Sequence, residues 1–361
     1  MTGPSTSESF EAGLLALGMQ IGSSREQRNP RMAARVLAVA TKADPMLADA
    51  WLARLAAGET SLAVYEGLWR SRTRIGQALT RYRLTPQDLA VTVDMPLLLR
   101  AGVSSADAAE AAYVTALLAS RRFDDAEAVL LAPDSSAGPL SRFCTGCLYY
   151  QSGLWPQVID SVAALRADAA EPTVAAAARV LTLVAYTYLG LFTSAIDLGG
   201  QAVPGDGRRP SDVLPQATGL IASHLGACYR ALGQEETAVE FFRTAITSNP
   251  NDAAAQEMLA NPALQVHTTD ATRIAARTDR WDPATESAAD DAAEAAEREQ
   301  RATDLRLAMV ELDQHIGLDR VKREVQKLQA SIEINAAREA DGLPVTTRAR
   351  HLVMAGPPGT G

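Results

Sequence analysis

At 361 residues the chain exceeds one ordinary domain, and an aromatic content of only 5%, with abundant Ala and few β-branched runs, points to a mostly helical protein. A formal net charge of −9 argues against nucleic acid as a partner, since phosphate binding needs a basic footprint, and disfavours an anionic membrane surface for the same reason. Three cysteines, Cys144, Cys147 and Cys228, do not make a disulfide framework, which suits a reducing cytoplasm, and the N-terminal MTGPSTSESFEAGLLALG lacks the basic segment of a signal peptide.

Taken from the N-terminus, Ala33, Leu37, Ala40 and Pro45 have the spacing of the second helix of a helix pair, and Asp49 to Gly58 opens a new first helix. The stretch WRSRTRIGQALTRYRL is expected as one helix with Arg70, Arg74 and Arg81 on a shared face and Arg72 and Arg83 nearby. Its plain reading is a solvated face whose stems cover apolar surface; the sharper one is a docking patch for an acidic partner helix or tail. Ala126 and Leu130 mark another second helix. Gly146, Tyr149, Gly153 and Val158 then carry part of a pattern that recurs in Tyr186, Gly190, Ala195 and Ala202.

The pattern is fullest between Gly219 and Asp252. Leu225, Gly226, Tyr229, Ala238, Phe242, Ala245 and Pro250 follow the order of a tetratricopeptide repeat (TPR), whose period is about 34 residues. Gly226 and Ala238 are expected where two helices cross closely, Tyr229 and Phe242 between them, Gly233 at the end of the first helix and Pro250 after the second. Stacked helix pairs over roughly residues 8–262 make an α-solenoid. The longest apolar tract, Val174 to Ile196, contains Arg179 and Gly190 and reads as helix, turn, helix rather than a membrane span.

Cys144-x-x-Cys147 and His224-x-x-x-Cys228 have spacings that place ligands on one helical face, as zinc would need. Each pair also falls in the first helix of a repeat, where small buried residues belong, and buried structural thiols without metal are the expectation. The remaining histidines, His267, His315 and His351, stand in no hydrolase or metalloprotease context, so no catalytic residue is assigned.

Past Pro262 the periodicity fades. Trp281-Asp282-Pro283 reads as an anchored turn inside a connector, and Ser287 to Gln300 as an Ala-rich acidic helix. An amphipathic pattern returns from Leu305, with Ile316-Gly317-Leu318 between two apolar stripes. His351 to Ala355 reads as a short strand, and Gly356-Pro357-Pro358-Gly359-Thr360-Gly361 is the G-x-x-x-x-G half of a phosphate-binding loop, whose backbone N–H groups cradle phosphate. The motif calls next for Lys, then Ser or Thr to reach Mg²⁺. The expected division is a helical-repeat domain at 1–262, a linker with an acidic helix at 263–303, and the start of an ATPase domain at 304–361.

This order, with repeats first, then Arg277 to Pro283, then Leu312 to Lys322 and the GPPGTG loop, resembles the EccA family: cytosolic AAA+ ATPases of type VII (ESX) secretion with a CbxX/CfxQ-type ATPase domain. The resemblance implies a TPR-like domain engaging secretion substrates or their chaperones, coupled to a homo-hexameric ring that binds ATP and Mg²⁺. It implies further that residues 356–361 contact phosphate and that Ile316, Gly317 and Leu318 lie on the adenine side. Two other readings share the motifs: a stand-alone TPR adaptor, and a CbxX/CfxQ-type remodelling ATPase for another client. Residues 1–361 lack the Lys, the acidic strand and the arginine finger, so they are expected to hold no nucleotide tightly. Phosphate-release assays on them are expected to stay at the blank, and turnover in protein free of contaminating ATPase would refute this.

Overall fold

The structure, a computed structural model, describes residues 5–286 together with 300, 303–304 and 307. Two compact units divide between Ala289 and Asp290, and the described residues fall almost wholly in the first. This unit is a solenoid of helix pairs: α1 (Thr6–Ala16) with α2 (Pro30–Ala43), α3 (Ala48–Ala56) with α4 (Leu62–Ser71), and α5 (Ala106–Ala119) with α6 (Phe123–Leu130). These are followed by α7 (Pro139–Gln151) with α8 (Trp155–Ser161) and α9 (Pro172–Tyr188) with α10 (Phe192–Gly200). A short α11 (Pro210–Val213) precedes the last full pair, α12 (Thr218–Ala231) with α13 (Glu235–Ser248); α14 (Ala253–Ala260) and α15 (Ala271–Ala275) complete the unit. The expected mostly α, TPR-like solenoid is what forms; the expected start of an α/β domain lies outside the described residues.

Each full pair closes in the same way. The second residue past the first helix is left-handed: Gly18, Gly58, Arg121, Gly153, Gly190 and Gly233, with φ between 55° and 91°. The next amide reaches back to a carbonyl one turn inside the helix, as Leu154 does to Tyr149 (2.8 Å), Leu191 to Tyr186 (2.8 Å) and Gln234 to Tyr229 (2.9 Å). This satisfies carbonyls that the helix end would otherwise orphan and sends the chain back at a fixed angle. Arg121 adopts the conformation without being glycine, a strained choice for a residue with a Cβ.

Packing follows the repeat logic. Ala238, Phe242 and Ala245 are fully buried, and α13 ends before Pro250 as expected. A Cβ on Gly226 would stand 2.7 Å from the Phe242 ring, and one on Gly146 2.4 Å from Val162, so the helices of these pairs touch backbone to side chain. The central α9 is buried nearly all round, with Ala175 to Ala178 wholly inside, which explains its largely apolar sequence. Among the described residues no helix is long and apolar enough to cross a membrane.

Two features depart from the sequence reading. The expected single helix through Arg70, Arg74 and Arg81 breaks after Ser71 into 3₁₀ turns at Arg72–Arg74 and Leu79–Tyr82. The cause is a pair of buried charges. Arg72 turns inward to Glu110 (3.3 Å) and Asp134 (3.1 Å), while the Asp49 carboxylate, wholly buried, accepts from the amides of Gly76, Ala78 and Leu79 and captures the loop. These polar bonds outweigh the helical propensity of the stretch.

The second is an antiparallel hairpin, β1 (Thr92–Met95) and β2 (Leu99–Gly102), in register Val93 with Ala101 and Met95 with Leu99. Val93, Met95 and Leu99 enter the core, and the tip carries Leu97 at φ 60° beside Pro215 and Asn249, which line a cavity of about 450 Å³. The helix crossing at Gly226 yields a direct check. Gly226→Ala should cost about 1–3 kcal/mol, because the clash is with a ring held on all sides. Urea unfolding of the variant against the parent measures it.

Candidate partner-binding groove

The turns that close α7 and α9 bring a row of rings together. Tyr150 near the end of α7 meets Trp155 at the start of α8 edge-on (5.9 Å, 79°). Trp155 stacks on Tyr188, the last residue of α9 (4.6 Å, 8°), and Tyr188 meets His224 of α12 edge-on (5.7 Å, 73°). The row lines an open groove of about 450 Å³, completed by Gly153, Leu220, Asp252 and Pro283. Unlike the cavity at the hairpin tip, it is built of aromatic faces with polar edges, the composition of recognition surfaces.

The rings are neutral. Burial pushes the Tyr150 hydroxyl up to about 12 and raises that of Tyr188. His224 is pulled below its usual value by burial, which outweighs the opposing hydrogen bond to Leu220. Its Nδ1 lies 2.9 Å from the Leu220 carbonyl, which can only accept, so Nδ1 carries the proton and Nε2 is the free acceptor. Asp252 caps α14 by accepting from Ala255 (3.0 Å).

One wall comes from the stretch expected as a connector. Residues 263–286 run back along the repeats. Arg277 is buried and donates to the carbonyls of Ser152 (2.8 Å) and Gly153 (3.1 Å) while pairing with Glu286 (2.7 Å). The Glu286 carboxylate also accepts from Thr269. Trp281 packs on Phe123 (5.6 Å) and donates from Nε1 to Asp124 (2.8 Å), and Arg280 binds Glu127 (2.8 Å) while covering the Trp281 ring. The anchored turn expected at Trp281 to Pro283 is thus a strap held to two repeats, with Pro283 beside Gly153.

The residues singled out in the sequence have separate fates. Ile316, Gly317, Leu318 and Gly356 to Gly361 lie outside the described residues. Arg70 is exposed and paired with Glu66 (2.6 Å), Arg74 sits in the first 3₁₀ turn, and Arg81 in the second reaches Ser7 (3.1 Å). The three do not share a helical face. Cys144, Cys147 and Cys228 are buried free thiols, as the repeat positions imply, with burial pushing Cys144 to about 12 and Cys228 to about 11. Among the described residues no group of His, Cys, Asp and Glu gathers as a metal site.

The row Tyr150, Trp155, Tyr188 escaped the sequence reading. Its residues stand at different positions relative to the turn glycines Gly153 and Gly190, so no period exposes them. The only available signal was their closeness to those turns.

Helix pairs closed by left-handed turns, with a ring-lined groove at their ends, define a TPR-like scaffold. A family model described as "T7SS, ESX-1 secretion system protein EccA1, N-terminal domain" matches residues 11–287, and the chain belongs to this family of type VII secretion proteins. The ESX-5 secretion system protein EccA5 of Mycobacterium tuberculosis is 32% identical over 97% of this chain and 57% of its own length. The ESX-3 secretion system protein EccA3 of the same organism is 30% identical over 96% of this chain and 54% of its own. The chain thus spans a little over half the length of these relatives. The crystal structure of the N-terminal domain of EccA1 ATPase from the ESX-1 secretion system of Mycobacterium tuberculosis matches with a TM-score of 0.61 at 24% identity, covering 78% of this chain and 97% of that one, a likeness of fold.

The strap gives the prediction here. Removing Arg277 orphans two carbonyls and leaves Glu286 uncompensated, a change that costs about 3–5 kcal/mol when the surroundings cannot yield. The strap can lift instead, which caps the loss near its own attachment energy. Arg277→Ala should therefore speed amide hydrogen exchange across 268–286 at least tenfold while leaving α12 and α13 protected.

Proposed function

We propose that this chain is the front part of a cytoplasmic AAA+ ATPase that serves type VII (ESX) secretion, its repeat domain holding secreted proteins or their chaperones. In this reading ATP and Mg²⁺ act through the loop that starts at Gly356, with Ile316, Gly317 and Leu318 beside the adenine, in a homo-hexamer of the longer protein. Membership of the family and the printed names of its relatives support the pathway. Those relatives are secretion proteins, which weighs against a remodelling ATPase for an unrelated client.

The observation that carries the binding role is the neutral ring row from Tyr150 to His224. Half-buried rings that line an open groove gain more from a partner than from water, since each buried ring contributes about 1.5–3 kcal/mol. The strap links this site to the stretch leading toward the nucleotide motifs. A pull on the chain past Glu286 bears first on Arg277, whose acceptors Ser152 and Gly153 form the turn beside Trp155. Force applied there would reshape the groove and release what it holds.

The test is co-purification of the chain with small helical ESX-type secreted proteins. Trp155→Ala and Tyr188→Ala should each reduce recovery of the partner by about tenfold, the scale of a binding hot spot. Full recovery with both variants would remove the groove from the function.

A further inference from the structure

We infer that the ring-lined groove takes an extended, proline-bearing segment carrying a basic side chain, a narrower statement that rests on the binding role just proposed. Three observations converge on this partner. The first is that the chain already places a proline there. Pro283 of the strap lines the groove and stands 3.2 Å from the position a Cβ would take on Gly153, with Trp155 on the same side. The groove continues past Pro283 along Trp155 and Tyr188, so a bound proline would follow one that the fold already seats at its edge.

The second is the polar fringe. Among the described residues the Tyr150 and Tyr188 hydroxyls, the Gln151 amide and the Ser223 hydroxyl have no hydrogen-bond partner, and all belong to residues lining the groove. Each can donate a proton. An α-helix satisfies its own carbonyls everywhere but in its last turn and so offers a row of donors few backbone acceptors, and a β-strand needs an open sheet edge, which a groove made of helix ends and turns does not offer. A polyproline II segment leaves its backbone carbonyls free, and its flat pyrrolidine rings lie against aromatic faces.

The third is charge. The groove is lined by one carboxylate, Asp252, and by no Lys or Arg. The Arg277 guanidinium beside Gly153 is paired with Glu286. His224 is held neutral by its burial and adds no positive charge at pH 7. A cation on the partner therefore meets a carboxylate that pairs with no Lys or Arg among the described residues, beside a ring row that also favours cations.

Fluorescence anisotropy on the full chain tests the assignment with three labelled ten-residue probes: oligoproline with one central arginine, oligoproline without it, and an Ala/Gln helix-forming peptide with the same arginine. The proline–arginine probe should bind at least about tenfold tighter than the helical one, and about threefold tighter than neutral oligoproline. Asp252→Asn, which keeps an oxygen to cap α14, should abolish the preference for arginine. Trp155→Ala should weaken both proline probes about tenfold, and Tyr188→Phe, which keeps the ring and removes one donor, by about threefold. Circular dichroism confirms that each variant is folded, and Tyr188→Phe preserves a readout if Trp155→Ala is not. Equal or tighter binding of the helical probe, binding unaffected by both ring variants, or no binding of either proline probe overturns the inference. If the probes fail while co-purification of secreted partners still depends on Trp155, the groove remains the binding site and only the class of partner is wrong.

Discussion

The first unit depends on how its helix ends are satisfied. Each full pair turns through a left-handed residue whose successor bonds back to a carbonyl inside the first helix, and this sets the angle at which the second helix returns. A TPR-like pair cannot bury its apolar face alone, so the angle must be repeated accurately for the pairs to stack into one core. Small residues at the crossings, such as Gly226 and Gly146, then let the helices approach until side chains fill the gap.

Buried arginines do the remaining closing. Arg277 collects the carbonyls of Ser152 and Gly153, Arg230 those of Met258 and Asn261, and Arg72 those of Trp69 and Asp134, and each also pairs with a carboxylate. A planar guanidinium suits this role because its fork can serve several acceptors from one position while remaining charged. Lysine has neither the geometry nor the low hydration to replace it. Two of the three act over long sequence distances: Arg277 ties the strap to α7 and its turn, and Arg72 ties the loop before the hairpin to α5 and to Asp134.

The same economy explains why the groove lies where it does. Rings at the ends of α7 and α9 are left half-buried by the helices around them. Trp155 and Tyr188 cover one another, and the strap brings Pro283 to the edge. A site made from turns is held rigidly by the helices on both sides but remains open, which is the condition for binding without large ordering costs.

By itself the sequence determined the helical repeats, because Gly226, Ala238, Phe242 and Pro250 mark crossings and stops through short-range sterics that any copy of the repeat must obey. It determined the buried thiols for the same reason, and the family through the order of its motifs. Only the tertiary structure decided where Arg70, Arg74 and Arg81 go, since their helix is broken by Asp49 and Glu110, carboxylates far away in sequence. The hairpin at 92–102 and the left-handed Arg121 were likewise hidden, as both follow from what the neighbouring helices demand rather than from local propensity. The ring row is the clearest case. Tyr150, Trp155, Tyr188 and His224 come from helices whose register depends on the turn angles, and no spacing in the chain records that the fold brings their faces together.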